Sequence, residues 1–203
     1  MAGNSRFVAG KRTPREVAKL RKSLLQGQHP QAVVVTCSDS RVPPEILFDQ
    51  TLGGIFVIRT AGNVADAIGV GSIEYAVEHL GTTVLVILGH EKCGAVTAAC
   101  SSPKAASPNV QAILDKITPS VTQARNYSGD ADLLASAILE NIHGSARDVL
   151  AQSGVLRHAF KDGKLTIIEA IYSLDTGEVR RLGRLSLMPP AYKLDVGDVV
   201  RLQ

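Results

Sequence analysis

The 203-residue chain has no Trp, only four Tyr and four Phe, and three Cys. With so few rings the core must be aliphatic. So few cysteines in a chain of this length exclude a disulfide scaffold, a cysteine-dense class of much shorter secreted proteins, and leave the thiols open to other chemistry. Long apolar runs are missing too. The longest, at residues 84–88, falls far short of the ~18 residues a membrane span requires and reads as a buried strand. Charge of one sign is not in excess either: 22 basic against 19 acidic residues leave a net +3. The positives are interleaved with acids and have few aromatics beside them, which argues against nucleic-acid binding. No apolar core follows Arg6, Lys11, Arg12, Arg15, Lys19, Arg21 and Lys22, so neither secretory signal nor anchor is expected, and residence is expected to be cytoplasmic, without a membrane partner. What is present, 45% hydrophobic and 20% charged residues, suits one domain over residues 1–203 that buries about 70% of its unfolded surface.

The pattern alternates strands and helices. Residues 13–25 carry Val17, Leu20, Leu24 and Leu25 at helical spacing, with Thr13 as N-cap and Pro14 at the first helical position, giving a helical arm within residues 1–30. A β-branched run at 32–36 ends at Cys37 and predicts a strand buried on both faces. Pro43 and Pro44 open a helix through 49, a second strand spans 55–58, a helix 72–80 and a third strand 83–88. Helices follow at 94–100, 110–123 and 130–153, then a strand at 165–174 that a turn at 175–178 folds back onto 179–182. This predicts an α/β domain whose mostly parallel central sheet, about four parallel strands plus one antiparallel, is flanked by helices. Sites in such sheets gather at the carboxyl ends of strands, where Cys37 and His90 fall. Residues 187–203 form a C-terminal extension of unassigned role.

Taken alone, a buried Cys is a small hydrophobe. Cys37 and the pair His90, Cys93, however, follow two inner strands, and neighbouring strands lie only ~4.8 Å apart, so the three side chains can converge. Two thiolates and one imidazole leave a fourth tetrahedral position for water, the composition of a catalytic zinc site; a structural site would need a fourth protein ligand. In Cys37-Ser38-Asp39-Ser40-Arg41, an extended backbone puts Cys37, Asp39 and Arg41 on one side. Left free, Asp39 could close the fourth position. Forked to Arg41, it would instead accept a proton from water there.

These residues resemble the β-class carbonic anhydrases. The likeness lies in Cys37-Ser38-Asp39-Ser40-Arg41, Arg59-Thr60-Ala61-Gly62-Asn63 and Gly89-His90-Glu91-Lys92-Cys93-Gly94, in that order. It extends to Gly3-Asn4-Ser5-Arg6-Phe7, to Ser72-Ile73-Glu74-Tyr75-Ala76-Val77, and to residues 172–177. The resemblance implies that Cys37, His90 and Cys93 bind one Zn2+ and that Asp39 with Arg41 is the catalytic dyad. In the plant-like branch it also implies a substrate pocket of Gln28, Phe56, Tyr75 and Gly94, completed partly by a neighbouring subunit, hence an obligate homodimer or a higher homo-oligomer such as a tetramer. His79, four residues after Tyr75, projects from the same helix face and is the candidate proton-transfer group. Val34 stands where the regulated branch carries Trp, and Thr60 where Asn is commoner. Cys100, His29, His143 and His158 match no ligand motif.

The implied reaction is reversible hydration of carbon dioxide to bicarbonate by hydroxide generated at zinc, a carbonate dehydratase (lyase) activity. Two thiolates cancel the formal charge of the ion, so activity is expected to favour alkaline pH. A carbonyl sulfide or carbon disulfide hydrolase on the same fold, and a non-catalytic zinc protein, are the alternatives.

Overall fold

The computed structural model describes residues 1–102 and 104–184; the extension at 187–203 lies outside them. Its strands are β1 (Val33–Cys37), β2 (Phe56–Thr60), β3 (Val84–His90), β4 (Thr166–Tyr172) and β5 (Val179–Arg184). They form one sheet in the order β2-β1-β3-β4-β5, parallel except for the antiparallel pair of β4 and β5. That is the expected α/β architecture. All five residues of β1 are buried, as a β-branched run needs when both faces of its sheet are covered.

The helices are α1 (Ala2–Val8), α2 (Val17–Ser23), α3 (Pro44–Leu47), α4 (Ala67–Glu78), α5 (Gly94–Ser101), α6 (Pro108–Arg125), α7 (Leu133–Gln152) and α8 (Gly154–Lys161). The larger core joins Val33, Val35, Leu85, Ile87 and Ile167 of the sheet to Ile73, Ile117, Leu139, Ile142 and Leu156 of the longer helices. Each such side chain contributes about 1.5–3 kcal/mol of burial. A smaller cluster on the other face joins Val34, Leu88 and Ala170 to Leu47, Phe7 and Phe48. Helix α7 can lie close to β3 because residue 89 is glycine: a Cβ there would fall 2.5 Å from Ile142 Cγ1. Among the described residues no helix is long and apolar enough to cross a membrane.

Three expectations need correction. Thr13 does not cap a helix. Its Oγ1–H and N–H both turn to Asp49, at 2.7 and 3.2 Å, and α2 begins only at Val17. The 3% exposed Asp49 carboxylate also takes Arg6 Nε–H at 2.6 Å, because a buried anion needs its donors more than an exposed helix end does. Helix α4 starts at Ala67 rather than 72, since Asp66 Oδ1 accepts the Gly69 N–H at 2.9 Å and caps it. Helices α1 and α8 were not expected from the pattern: α1 contains Gly, Asn and Ser, weak helix formers, and is held by tertiary bonds. Asn4 Nδ2 donates to the carbonyls of Leu47 and Gly177, and Asn4 Oδ1 accepts from Val179 N–H.

Candidate metal centre

Cys37 ends β1 and His90 ends β3, and these strands pair in parallel, so both side chains emerge at one end of the sheet. After His90 the chain turns through Lys92, whose φ of +52° lies in the left-handed region that non-glycine residues seldom adopt. The turn brings Cys93 back as the residue preceding α5. The donor atoms of Cys37, His90 and Cys93 all lie within 4.8 Å of one another, and all three residues are buried. The two Sγ atoms are 4.0 Å apart.

His90 is oriented by its surroundings. Its Nδ1–H donates to the Glu91 carbonyl at 2.8 Å, which leaves Nε2 as a bare acceptor, buried and without a hydrogen-bond partner. Glu91 is itself tied down: its carboxylate accepts from Ser173 Oγ at 2.9 Å and Leu174 N–H at 3.1 Å. Cys37 Sγ accepts the Gly62 N–H at 3.3 Å. The two sulfurs lie within hydrogen-bonding distance, and either can be the donor. The Cys93 thiol, with further help from the Gly62 amide, pulls Cys37 below the ordinary thiol range; Cys37 and burial push Cys93 up.

Asp39 lies next to this cluster, its Oδ2 3.9 Å from His90 Nε2. Arg41 holds it by three bonds: its N–H and Nε–H reach Oδ1, each at 2.9 Å, and Nη2 reaches Oδ2 at 2.7 Å. The guanidinium keeps the Asp39 carboxyl well below the usual carboxylate range. The loop is anchored in turn by Arg59, which donates to the carbonyls of Cys37 at 3.1 Å and Asp39 at 2.6 Å.

These donors fit a soft divalent ion. Zinc at about 2.3 Å from sulfur and 2.0–2.1 Å from nitrogen would set adjacent tetrahedral ligand atoms roughly 3.5–3.8 Å apart, against 4.0 Å between the two sulfurs here. The buried, unpartnered His90 Nε2 is the strongest sign, since such an atom costs free energy unless something binds it. Among the described residues, Cys37, His90 and Cys93 are the group of this kind that could hold a metal ion.

The other expected site residues lie elsewhere in the chain. Phe56 pairs with Val33 at the start of its strand whereas Cys37 pairs with Thr60, an offset of about 13 Å along the sheet. Tyr75 packs beside Phe56 with ring centroids 6.4 Å apart, and His79 beside Tyr75 at 5.2 Å. Tyr75 is 50% exposed, and Gln28 and His79 are exposed. Gly94 is the first residue of α5, next to Cys93, and exposed. His143, which matched no ligand motif, is buried and bonded through Nδ1 to Glu169 at 2.9 Å. Sequence reasoning missed the parts played by Lys92, Glu91 and Gly62; all three stand within the motifs above, but the turn at Lys92 and the contacts of Glu91 and Gly62 arise only on folding.

Fold and site together define an α/β protein with a buried Cys-His-Cys cluster that could hold a metal ion, flanked by a restrained carboxylate. The comparisons with known proteins narrow this. The family described as carbonic anhydrase matches residues 32–179. Carbonic anhydrase 2 of Mycobacterium tuberculosis is 38% identical over 179 residues, 86% of each chain, and the carbonic anhydrase of Mycolicibacterium smegmatis is 39% identical over 181 residues, 87% of each. A Coccomyxa β-carbonic anhydrase solved with acetazolamide superposes with a TM-score of 0.75 at 26% identity, over 83% of this chain and 79% of that one. The chain belongs to the carbonic anhydrase family.

Proposed function

We propose that the protein hydrates carbon dioxide reversibly, yielding bicarbonate and a proton, with zinc held by Cys37, His90 and Cys93. One observation carries this reading: the bare, buried His90 Nε2 faces two sulfurs while Asp39, the nearest alternative ligand, is occupied by Arg41. Zinc, when bound, supplies the Lewis acid that makes water a nucleophile near neutral pH. The chain does the rest. Asp39 Oδ2 accepts a hydrogen bond from the reacting water and directs its lone pair toward carbon dioxide. So acidic a carboxyl does not retain a proton, which must pass on to solvent. Arg41 keeps the carboxylate ionised and off the fourth corner.

Gln28, Phe56, Tyr75 and His79 belong in this reading to the site of a second copy of the chain. The exposure of Gln28, Tyr75 and His79, and the separation of Phe56 from the Cys37 end of the sheet, support that placement. Each subunit thus brings a metal corner to one site and an aromatic wall to the other, in a homodimer or a multiple of it. Metal analysis tests the core of the proposal: purified protein should carry about one zinc per chain. Stripping it with a chelator should abolish hydration and adding zinc should restore it. Full turnover by metal-free protein would overturn the reading.

A further inference from the structure

Helix α7 is apolar where it crosses the sheet, with Ile138, Leu139, Ile142 and Ala146 buried, yet it carries Asn141, 1% exposed, and Ser145, 5% exposed, one turn apart. A side-chain amide survives in such surroundings only if it is bonded. Both residues face one loop, the short turn Ala61–Asn63 between β2 and α4. Asn141 Nδ2 donates to the Gly62 carbonyl at 2.7 Å, and Asn63 Nδ2 donates to Ser145 Oγ at 3.4 Å.

Gly62 stands at φ +74°, in the left-handed region, and a Cβ on it would fall 2.6 Å from Ile117 Cδ1 and 3.2 Å from Ala95 Cβ. Only glycine fits. Glycine is also the residue least able to hold a backbone conformation unaided, so whatever fixes this one must come from a neighbour. The Gly62 N–H, in that conformation, donates to Cys37 Sγ at 3.3 Å.

We infer that Asn141 is a positioning residue of the metal centre: by gripping the Gly62 carbonyl it aims the Gly62 N–H at Cys37 Sγ. The inference rests on Cys37 being a metal ligand, as proposed above. An N–H···S bond draws electron density from a thiolate and fixes its direction, and partners of this kind set how tightly a ligand set holds its ion. Asn141 lies 79 residues from Gly62 in sequence, and its hydrogen bond goes to Gly62 rather than to a ligand.

The test uses the full chain loaded with an NMR-active cadmium isotope and, separately, with cobalt. In the unmodified protein the Gly62 amide proton should show scalar coupling to cadmium through Cys37 Sγ. Asn141→Leu keeps the size and removes the donor. It should lose that coupling while Cys37, His90 and Cys93 keep theirs, shift the cobalt–thiolate charge-transfer band, and weaken metal affinity by roughly 10–100-fold. A folded Asn141→Leu protein with coupling, band and affinity unchanged would make Asn141 a packing residue only and overturn the inference. Should the variant not fold, the unmodified protein decides. Ligand couplings without a Gly62 coupling would overturn the inference and leave the metal centre standing, whereas a chain with no ligand couplings would overturn both.

Discussion

In the proposed reaction the chemistry turns on Asp39 and Arg41, because a carboxylate 3.9 Å from His90 Nε2 would be near enough to hold the reacting water and equally near enough to bind a metal ion itself. The guanidinium decides between these roles. Asp39→Asn should therefore keep the metal but lose about a hundred-fold or more in turnover, since the amide no longer holds and orients the reacting water as the carboxylate does. Cys93→Ser should lose metal and activity together. Serine is a favoured N-cap, so α5 should persist in that variant, and circular dichroism alongside metal content separates lost ligation from lost fold. Full metal retention by Cys93→Ser, or unchanged turnover by Asp39→Asn, would contradict these roles. That Cys37, His90 and Cys93 converge was legible in the sequence because each stands at or just after the end of an apolar run, where a parallel sheet presents its side chains. The supports were not. Lys92 bends the chain by a backbone angle that its side chain does not advertise, and the bond from Asn141 to Gly62 spans 79 residues.

Among the elements, the strands and longer helices followed from periodicity, while the bounds of the N-terminal helices did not, because they are set by tertiary bonds to Asn4 and to the buried Asp49. Asp49 draws Arg6 and Thr13 to itself, and Arg15 donates to its carbonyl at 3.0 Å. The Arg6 hydrogen bond first, then Thr13, lowers the Asp49 pKa to about 2. Docking of the arm thus favours the ionised form. The contribution is complete above the ordinary carboxylate value of about 4 and fades as pH falls toward about 2. Limited trypsin digestion should cut Asp49→Asn faster than the parent chain after Lys11, Arg12 or Arg15. Lowering the pH from about 4 toward about 2 should loosen the arm in the parent but add little in the variant, read by hydrogen exchange of the arm amides. Equal cleavage rates would show that Asp49 does not anchor the arm.

For the whole molecule, Phe56, with Tyr75 and His79 packed beside it, lies at the end of the sheet away from Cys37, and the proposed pocket therefore takes its parts from two chains. A twofold dimer exchanges these parts reciprocally. Cys93→Ser and Tyr75→Ala, each deficient alone, should complement when their subunits are mixed: a hybrid dimer holds one intact site, and random exchange restores about a quarter of the sites. No recovery after verified exchange would place both parts within one chain. The measurement that bears most directly on the proposed reaction is stopped-flow carbon dioxide hydration by zinc-quantified protein, compared near neutral and at alkaline pH. Two thiolates offset the charge of the ion, so fast turnover that rises with pH is the expected result. Absence of turnover at both pH values, with about one zinc bound per chain, would contradict the assignment.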